Sequence, residues 1–342
     1  MHNSFRIGIV GAGRIGEEAH LPAALACPGT GVTALVDPCL ERCEALLRKF
    51  GIQARTAASV GAVLGEVDGV VIATPNNTHA SIALECLKAG VPVLVEKPLA
   101  VTVVEGEAMV HEAAAKGVVL AVGYSTRFRR SVGLMHDLIQ SGYCGTPRRF
   151  VYQFGTRGGW NPLSGYILDR GATGGGVLVV TGTHFLDRML YWFGMPTDYA
   201  YEDDSLGGPE ANVVATFAFS SGEVSFEGTM RLSKTTALPA GFAMETDEGI
   251  VYLKDSDEAP ILFQPRRDPR LELVVDTRPA APRSERNIFL AQMENFVEAC
   301  RGECKPMVSG AEGVVSLRLL EKLYACRKPM KADWSKTSGK VG

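Results

Sequence analysis

The stretch Ile7-Gly8-Ile9-Val10-Gly11-Ala12-Gly13-Arg14-Ile15-Gly16 decides the fold of this 342-residue chain. Its apolar start runs into a Gly-x-Gly-x-x-Gly pattern, which predicts a buried strand, a sharp turn and a helix. Gly11 lets the chain turn, Gly13 leaves room for a pyrophosphate beside the backbone, and Gly16 lets the helix pack closely. The alternative is a glycine-rich turn without a ligand, so the surrounding sequence has to decide.

An acidic residue follows the second apolar stretch. Val32–Val36 ends at Asp37, 21 residues beyond the last glycine of the turn. A carboxylate there accepts hydrogen bonds from the adenosine ribose and repels a 2′-phosphate, so NAD is favoured over NADP. Capping of the next helix, ahead of Pro38, is the alternative role for Asp37. A guanidinium from Arg14 or Arg42 at the 2′ position would oppose the preference for NAD.

Short apolar stretches recur along residues 5–123 and alternate with amphipathic helical patterns. Runs of Val, Ile and Leu without period-2 alternation are typical of strands buried on both faces of a parallel sheet. The runs are Ile7–Val10, Val32–Val36, Val70–Ala73, Val91–Val95 and Val118–Val122. They predict an α/β fold whose N-terminal domain, residues 1–123, is a doubly wound parallel sheet of the Rossmann type that binds NAD.

From residue 124 onward the pattern changes to alternating strands joined by short polar turns. The predicted strands are Arg149–Phe154, Asn212–Phe219, Glu223–Met230, Phe242–Glu245 and Ile250–Leu253. They indicate an α+β domain over residues 124–342, with a large, mostly antiparallel sheet, that binds substrate and mediates oligomerisation.

The C-terminal part of the chain differs in composition from the predicted strands before it. Asp255–Pro282 is rich in Pro, Arg and Asp and is predicted to be a mobile or wrapping segment. Two amphipathic helices are predicted over Asn287–Cys300 and Gly310–Cys326, and the C-terminal helix is expected to pack back on the first domain.

Composition excludes several classes of function. A formal net charge of −3 with no Lys/Arg block argues against nucleic acid. The eight cysteines form no C-x-x-C pair, so we expect no metal site and reduced thiols in a cytoplasmic protein. No leader pattern and no apolar run of about 18 residues is present, so we expect no membrane association.

Further motifs resemble the Gfo/Idh/MocA family of sugar and cyclitol oxidoreductases. They are Ala73-Thr74-Pro75-Asn76-Asn77-Thr78-His79, Val95-Glu96-Lys97-Pro98-Leu99, and Gly123-Tyr124 with Arg127-Phe128. Gly174-Gly175-Gly176, His184, Asp187 and Val308-Ser309-Gly310 follow in the expected order, so the resemblance covers nearly the whole chain. It implies an NAD-dependent enzyme that transfers a hydride between the nicotinamide and a secondary hydroxyl or keto group of a sugar, sugar derivative or cyclitol.

The glycine motif and the resemblance together predict the cofactor site. The turn contributes Gly11, Gly13, Arg14, Ile15 and Gly16, and Asp37 binds the ribose. By the resemblance, the nicotinamide side is lined by Thr74, Pro75, Asn76, Asn77, His79, Glu96 and Lys97.

The resemblance implies that Lys97 and His184 are the catalytic residues. A lysine at a strand end can hydrogen-bond a substrate hydroxyl and take or return its proton. Partial burial beside the positively charged nicotinamide is expected to lower the pKa of Lys97, and His184 would share the proton. The alternatives are a lysine that pairs with Glu96 or another nearby acid and a histidine that belongs to the core.

The sequence departs from the family at Val180, where the family pattern has Asp four residues before His184. That spacing would place both side chains on one helix face, so Val180 removes a substrate contact and the partner of the imidazole. The departure leaves two other functions open. One is cleavage or elimination of a glycoside through transient oxidation, with no net NADH. The other is a non-catalytic NAD-binding sensor or scaffold.

The substrate pocket is expected to use aromatic and polar side chains that suit a sugar ring. The candidates are Tyr124, Arg127, Trp160, Asn161, Tyr166, Thr183 and His184. Trp160 as a loop anchor and Arg127 as an ion pair are the alternatives. Because the second sheet has one open face, we also expect a homodimer or homotetramer.

Overall fold

The computed structural model describes residues 4–158, 165–256, 259–277 and 287–331. The chain divides into two compact units. Unit 1 comprises Met1–Phe128, Ala172–Gly174 and Ser284–Arg318, and unit 2 comprises Arg129–Gly171, Gly175–Arg283 and Leu319–Gly342.

Unit 1 contains a parallel sheet that has six strands within the described residues. The strands are β1 Phe5–Val10, β2 Thr30–Val36, β3 Arg55–Ala57, β4 Gly69–Ile72, β5 Val93–Glu96 and β6 Leu120–Gly123. Their order is β3-β2-β1-β4-β5-β6, and every neighbouring pair is parallel. The chain therefore winds outward in both directions from β1, which confirms the predicted Rossmann sheet.

The helices of the two units begin and end at residues whose side chains or backbone conformation favour a helix terminus. They are α1 Leu21–Ala26, α2 Leu40–Phe50, α3 His79–Lys88, α4 Val103–Lys116, α5 Arg130–Gln140, α6 Arg170–Thr173, α7 Thr183–Phe193, α8 Ile288–Cys300 and α9 Gly310–Ala325. Thr102 and Glu105 form a capping box at the start of α4, and Gly117 ends that helix in the left-handed conformation. A π-helical segment, Gly16–His20, precedes α1.

Unit 2 is built on a mixed sheet that has nine strands in the part of the chain described. They are β7 Pro147–Gly155, β8 Asp198–Asp203, β9 Asn212–Ser221, β10 Val224–Ser233, β11 Leu238–Thr246, β12 Gly249–Lys254, β13 Ile261–Pro265, β14 Leu273–Val275 and β15 Arg327–Pro329. The order is β14-β13-β12-β11-β7-β10-β9-β8-β15. Only β7 with β10 and β8 with β15 pair in parallel within the described ranges, so the prediction of a mostly antiparallel sheet is confirmed.

The prediction of a mobile or wrapping segment over Asp255–Pro282 is wrong for much of its described part. β13 pairs with β12, and β14 pairs with β13. The side chains of Ile261, Phe263 and Pro265 alternate inward along β13, which is the period expected of a half-buried strand. The surrounding Pro, Arg and Asp residues hid this short alternation in the sequence.

Helix α7 is anchored to the sheet of unit 2 by aromatic stacking and by a buried ion pair. The rings of Phe185 and Tyr152 stack with centroids 3.9 Å apart. Arg188, buried on the same helix, contacts Asp255 at 3.2 Å, and the Tyr152 hydroxyl donates to Asp255 at 2.5 Å. Although burial opposes it, the charge of Arg188 helps to hold the pKa of Asp255 well below its ordinary value. Among the helices described, none has the length and hydropathy needed to cross a membrane.

Candidate active site

The glycine turn between β1 and the first helix is shaped by contacts that exclude side chains at two positions. Gly11 has φ +105°, and a Cβ there would lie 2.4 Å from the carbonyl oxygen of Ala73. A Cβ on Gly16 would lie 2.1 Å from the carbonyl oxygen of Gly11. A Cβ on Gly13 would meet no atom within 4 Å. The turn is therefore tightly packed behind Gly11 and Gly16 and open at Gly13, which fits a pyrophosphate there.

Asp37 is buried at the end of β2 and is tied to the glycine turn. Its Oδ2 accepts a hydrogen bond from the Ala12 amide at 2.9 Å, and its Oδ1 accepts one from the Cys39 amide at 2.9 Å. Cys39, and not Asp37, is the N-cap residue of α2. Each carboxylate oxygen keeps a second lone pair, so Asp37 can still accept from ribose hydroxyls.

The first residues after Gly13 are exposed. Arg14 pairs with Glu18 one helical turn later, with its Nε 3.0 Å from Oε2, and Ile15 is 39% exposed. The guanidinium of Arg14 is thus engaged along its own helix.

A buried chain of hydrogen bonds lies at the carboxyl end of β5. The Nε2 atom of His20 lies 2.8 Å from Oε1 of Glu96, and Oε2 of Glu96 accepts the Lys97 amide at 3.0 Å. Burial alone would raise the pKa of Glu96. The hydrogen bond from His20 and the charges of His20 and Lys97 outweigh it, so the pKa lies below its ordinary value. Lys97 is half-buried.

His79 connects the two loops that follow β4 and β5. Its side chain is fully buried, with Nδ1 2.9 Å from the carbonyl oxygen of Pro98 and Nε2 2.9 Å from that of Thr74. Burial lowers the pKa of His79 below its ordinary value, so the ring is neutral at pH 7 and donates from one nitrogen at a time. The ring therefore lies between the two predicted nicotinamide loops and donates to one of the two carbonyl oxygens.

The loop after β4 combines buried and exposed polar side chains. The Thr78 hydroxyl lies 2.7 Å from that of Thr74, while Pro75 and Asn77 are exposed. Asn76 is buried and donates from Nδ2 to the carbonyl oxygen of Thr173 at 2.9 Å.

Two predicted substrate residues lie inside unit 1. Tyr124 is fully buried among the apolar residues of the sheet. The side chain of Arg127 is 4% exposed and its Nη2 lies 3.4 Å from Oε1 of Glu312, the ion pair that the sequence left open as an alternative. Trp160 and Asn161 lie outside the described residues.

In unit 2, His184 stands at the start of α7, directly after a second π-helical segment, Leu178–Gly182. Val180 lies within that segment and is half-buried, as is His184. Residues four apart lie on one face of an α-helix. A π-helical turn contains an extra residue, so this relation does not extend across the segment between Val180 and His184. Thr183 donates its hydroxyl hydrogen to the carbonyl oxygen of Val179 at 2.8 Å, and Tyr166 is half-buried in a 3₁₀ turn.

The triple glycine that precedes this helix is explained by a residue that the sequence reasoning missed. The buried carboxylate of Glu210 accepts the amides of Gly176 and Leu178 at 2.9 and 3.0 Å. The Tyr324 hydroxyl donates to the same carboxylate at 2.9 Å. A Cβ on Gly175 would lie 1.9 Å from that hydroxyl, and one on Gly176 would lie 2.1 Å from the Glu210 carbonyl oxygen.

Taken together, the β3-β2-β1-β4-β5-β6 sheet, the glycine turn open at Gly13 and the acid at the end of β2 define a dinucleotide-binding Rossmann protein. Two sequence comparisons extend this class. Residues 5–124 match the model described as "Oxidoreductase family, NAD-binding Rossmann fold", and residues 132–242 match the "GFO/IDH/MocA C-terminal domain". The chain belongs to the Gfo/Idh/MocA family of NAD-binding oxidoreductases, which confirms the resemblance seen in the sequence.

Relatives of known name cover the chain almost end to end. It is 29% identical to the rhizopine catabolism protein MocA of Rhizobium meliloti over 98% of each chain. It is 23% identical to the myo-inositol 2-dehydrogenase of Thermotoga maritima over 95% of this chain and 96% of that one. A solved levoglucosan dehydrogenase in complex with NADH and levoglucosan has the same fold, with a TM-score of 0.82, 20% identity and 98% of each chain covered.

Proposed function

We propose that this protein transfers a hydride between NAD and a secondary hydroxyl or keto group of a sugar, sugar derivative or cyclitol. The observation that carries the proposal is the position of Lys97 at the end of β5, in the same unit as a glycine turn open at Gly13. The names of the relatives, which include an inositol and an anhydrosugar dehydrogenase, support the class of substrate.

Residues 1–123 would hold the cofactor. Gly13 gives the pyrophosphate access to the backbone, and Asp37 accepts the ribose hydroxyls while it stays fixed by the Ala12 amide. When bound, NAD supplies the hydride acceptor. The loops after β4 and β5, with His79 between them, would line the nicotinamide side of the site.

Lys97 would manage the proton of the substrate hydroxyl. An amine within hydrogen-bond reach of the substrate hydroxyl is a suitable general base or acid, because it can take the hydroxyl proton or return it. His184, in the substrate domain, residues 124–342, would be the second catalytic residue, and Tyr166 is a further candidate contact in that domain. Proton transfer by these residues requires no carboxylate at position 180.

The proposal predicts that the purified protein reduces NAD in the presence of at least one polyol. The test follows NADH absorbance with myo-inositol, scyllo-inositol, levoglucosan and methyl glucosides. Lys97→Ala should lower kcat by about 100-fold to 10,000-fold, because general acid–base catalysis supplies an effect of that size. NADH binding, followed by fluorescence, should be retained.

The matched control is Lys88→Ala, which removes an exposed lysine at the end of α3 and should leave turnover unchanged. Equal turnover by Lys97→Ala and the wild-type protein would contradict the proposal. Cleaved sugar products without accumulation of NADH would instead favour the second candidate, transient oxidation followed by elimination or hydrolysis. The observation in favour of that candidate is the apolar residue Val180 in place of the family's Asp.

We also propose that copies of this chain associate through the open face of the sheet in unit 2. Small or polar side chains on that face, among them Ala200, Thr216 and Glu227, are exposed in the single chain. A broad sheet face of this kind supports a symmetric dimer or tetramer.

A further inference from the structure

We propose that His20 is a positioning residue for Lys97, which acts by holding the carboxylate of Glu96. This inference rests on the proposed function, in which Lys97 moves the substrate proton. It concerns a histidine on the helix that follows the glycine turn, four residues beyond Gly16.

The geometry fixes which atom donates. The Glu96 carboxylate is ionised near neutral pH, so it only accepts hydrogen bonds. The Nε2 atom of His20, 2.8 Å from Oε1, must therefore carry the hydrogen. His20 is 1% exposed and its ring packs edge-on against Phe289 with centroids 5.6 Å apart. The imidazole thus has a defined donor atom, Nε2, and a defined orientation.

The second oxygen of Glu96 connects the carboxylate to the backbone of Lys97. Oε2 accepts the Lys97 amide at 3.0 Å, so both carboxylate oxygens are engaged, one by His20 and one by the residue that bears the amine. The Glu96 side chain is 8% exposed and lies beside Gly123, where a Cβ would come within 3.2 Å of the carboxylate. His20 therefore keeps an anion, and with it the backbone of Lys97, in one place.

The charges around the pair are accounted for. On the His20 segment, Glu17 pairs with Lys49 and Glu18 pairs with Arg14 near the surface. Arg127, on the turn that packs against α8, is paired with Glu312. Lys97 and the neutral His79 face Glu96, and the acids of α8 are Glu294 and Glu298. His20 is thus the side chain whose hydrogen bond and charge most favour the ionised form of Glu96.

Removal of the His20 side chain should change the pKa of Glu96 in one direction. Without the donor at His20, burial dominates and the Glu96 carboxyl titrates at a higher pH than in the wild-type protein. Activity that needs the anion is then present above the new midpoint and is lost as the pH falls through it. The acid limb of the kcat profile should move upward in pH.

The experiment compares His20→Leu, which removes the donor, with His20→Gln, whose amide can replace Nε2–H. The titration of Glu96 is followed by NMR in NADH-bound protein labelled with ¹³C at the glutamate carboxyl groups, and Glu96→Gln assigns the signal. His20→Leu should shift the midpoint upward by about one pH unit or more, since hydrogen bonds to charged groups are of that strength. His20→Gln should stay near the wild-type value.

Turnover of the active polyol provides the second readout. His20→Leu should lower kcat about tenfold to a hundredfold with a much smaller change in KM, and His20→Gln should recover most of it. On a Glu96→Gln background, His20→Leu should have little further effect, because the two residues act in one chain. His111→Leu, at an exposed position of α4, is the control and should match the wild-type protein.

An unchanged Glu96 titration in His20→Leu, or losses that multiply in the double variant, would overturn the inference. If His20→Leu does not bind NADH, His20→Asn replaces it, since its shorter amide removes the donor with a polar side chain. If the proposed function is wrong, Lys97→Ala keeps the turnover of the wild-type protein. The Glu96 titration in His20→Leu is still shifted in that case, so the two failures can be distinguished.

Discussion

Asp37 is fixed by two backbone amides before any ribose reaches it. We expect Asp37→Asn to lower the preference for NADH over NADPH by at least about tenfold, because the charge that repels a 2′-phosphate is lost. The ratio of the two dissociation constants, measured by fluorescence titration, checks this. Glu41→Gln, which neutralises an exposed acid at the start of α2, should leave the ratio unchanged. An unaltered ratio in Asp37→Asn would mean that Asp37 does not select the cofactor.

At the scale of single residues, the sequence predicts side chains that belong to a motif with a fixed spacing. The positions of Gly11, Gly13 and Gly16 and of Asp37 could be placed on the turn and the strand end because their spacing follows from the strand–turn–helix geometry. His20 could not, since its partner is 76 residues away and nothing local marks the pair. The same is true of Glu210, whose link to the triple glycine exists only through the tertiary fold.

The start of the helix that bears His184 depends on a close backbone contact. We expect Gly176→Ala to lower the free energy of unfolding by about 3 kcal/mol, because the new Cβ would overlap the buried backbone of Glu210. Urea denaturation measures the change. Gly133→Ala, within α5, is the matched control in the same unit because a Cβ there meets nothing within 4 Å. It should be neutral or raise the stability by about 0.5–1 kcal/mol. Wild-type stability in Gly176→Ala would contradict the contact.

At the scale of elements, long apolar runs were predictable and short or irregular ones were not. The buried strands of unit 1 could be predicted because they consist of continuous Val, Ile and Leu. By contrast, β3 has only three residues and contains no such run. β13 and β14 lie among Pro and Arg residues that favour loops, and their pairing with β12 outweighs that local preference. The two π-helical segments leave no mark in the apolar periodicity.

For the whole molecule, we expect light scattering to give a mass of two or four times the 36.6 kDa of the chain. Thr216→Arg places a large charge in the middle of the exposed face of β9 and should shift the protein toward the monomer. Ser221→Arg, beside the turn between β9 and β10, should keep the wild-type mass. A monomeric wild-type protein would exclude the proposed association.

Unit 1 draws its core from distant parts of the chain. Apolar residues of α8, Met293, Phe296 and Val297, share one cluster with Ile9 and Leu94 of the sheet. During synthesis that face of the nascent sheet therefore stays uncovered until the ribosome has passed Cys300, the last residue of α8. The domain that leads the chain thus completes its core only after most of the chain has been made, so a chaperone has a long interval in which to shield it.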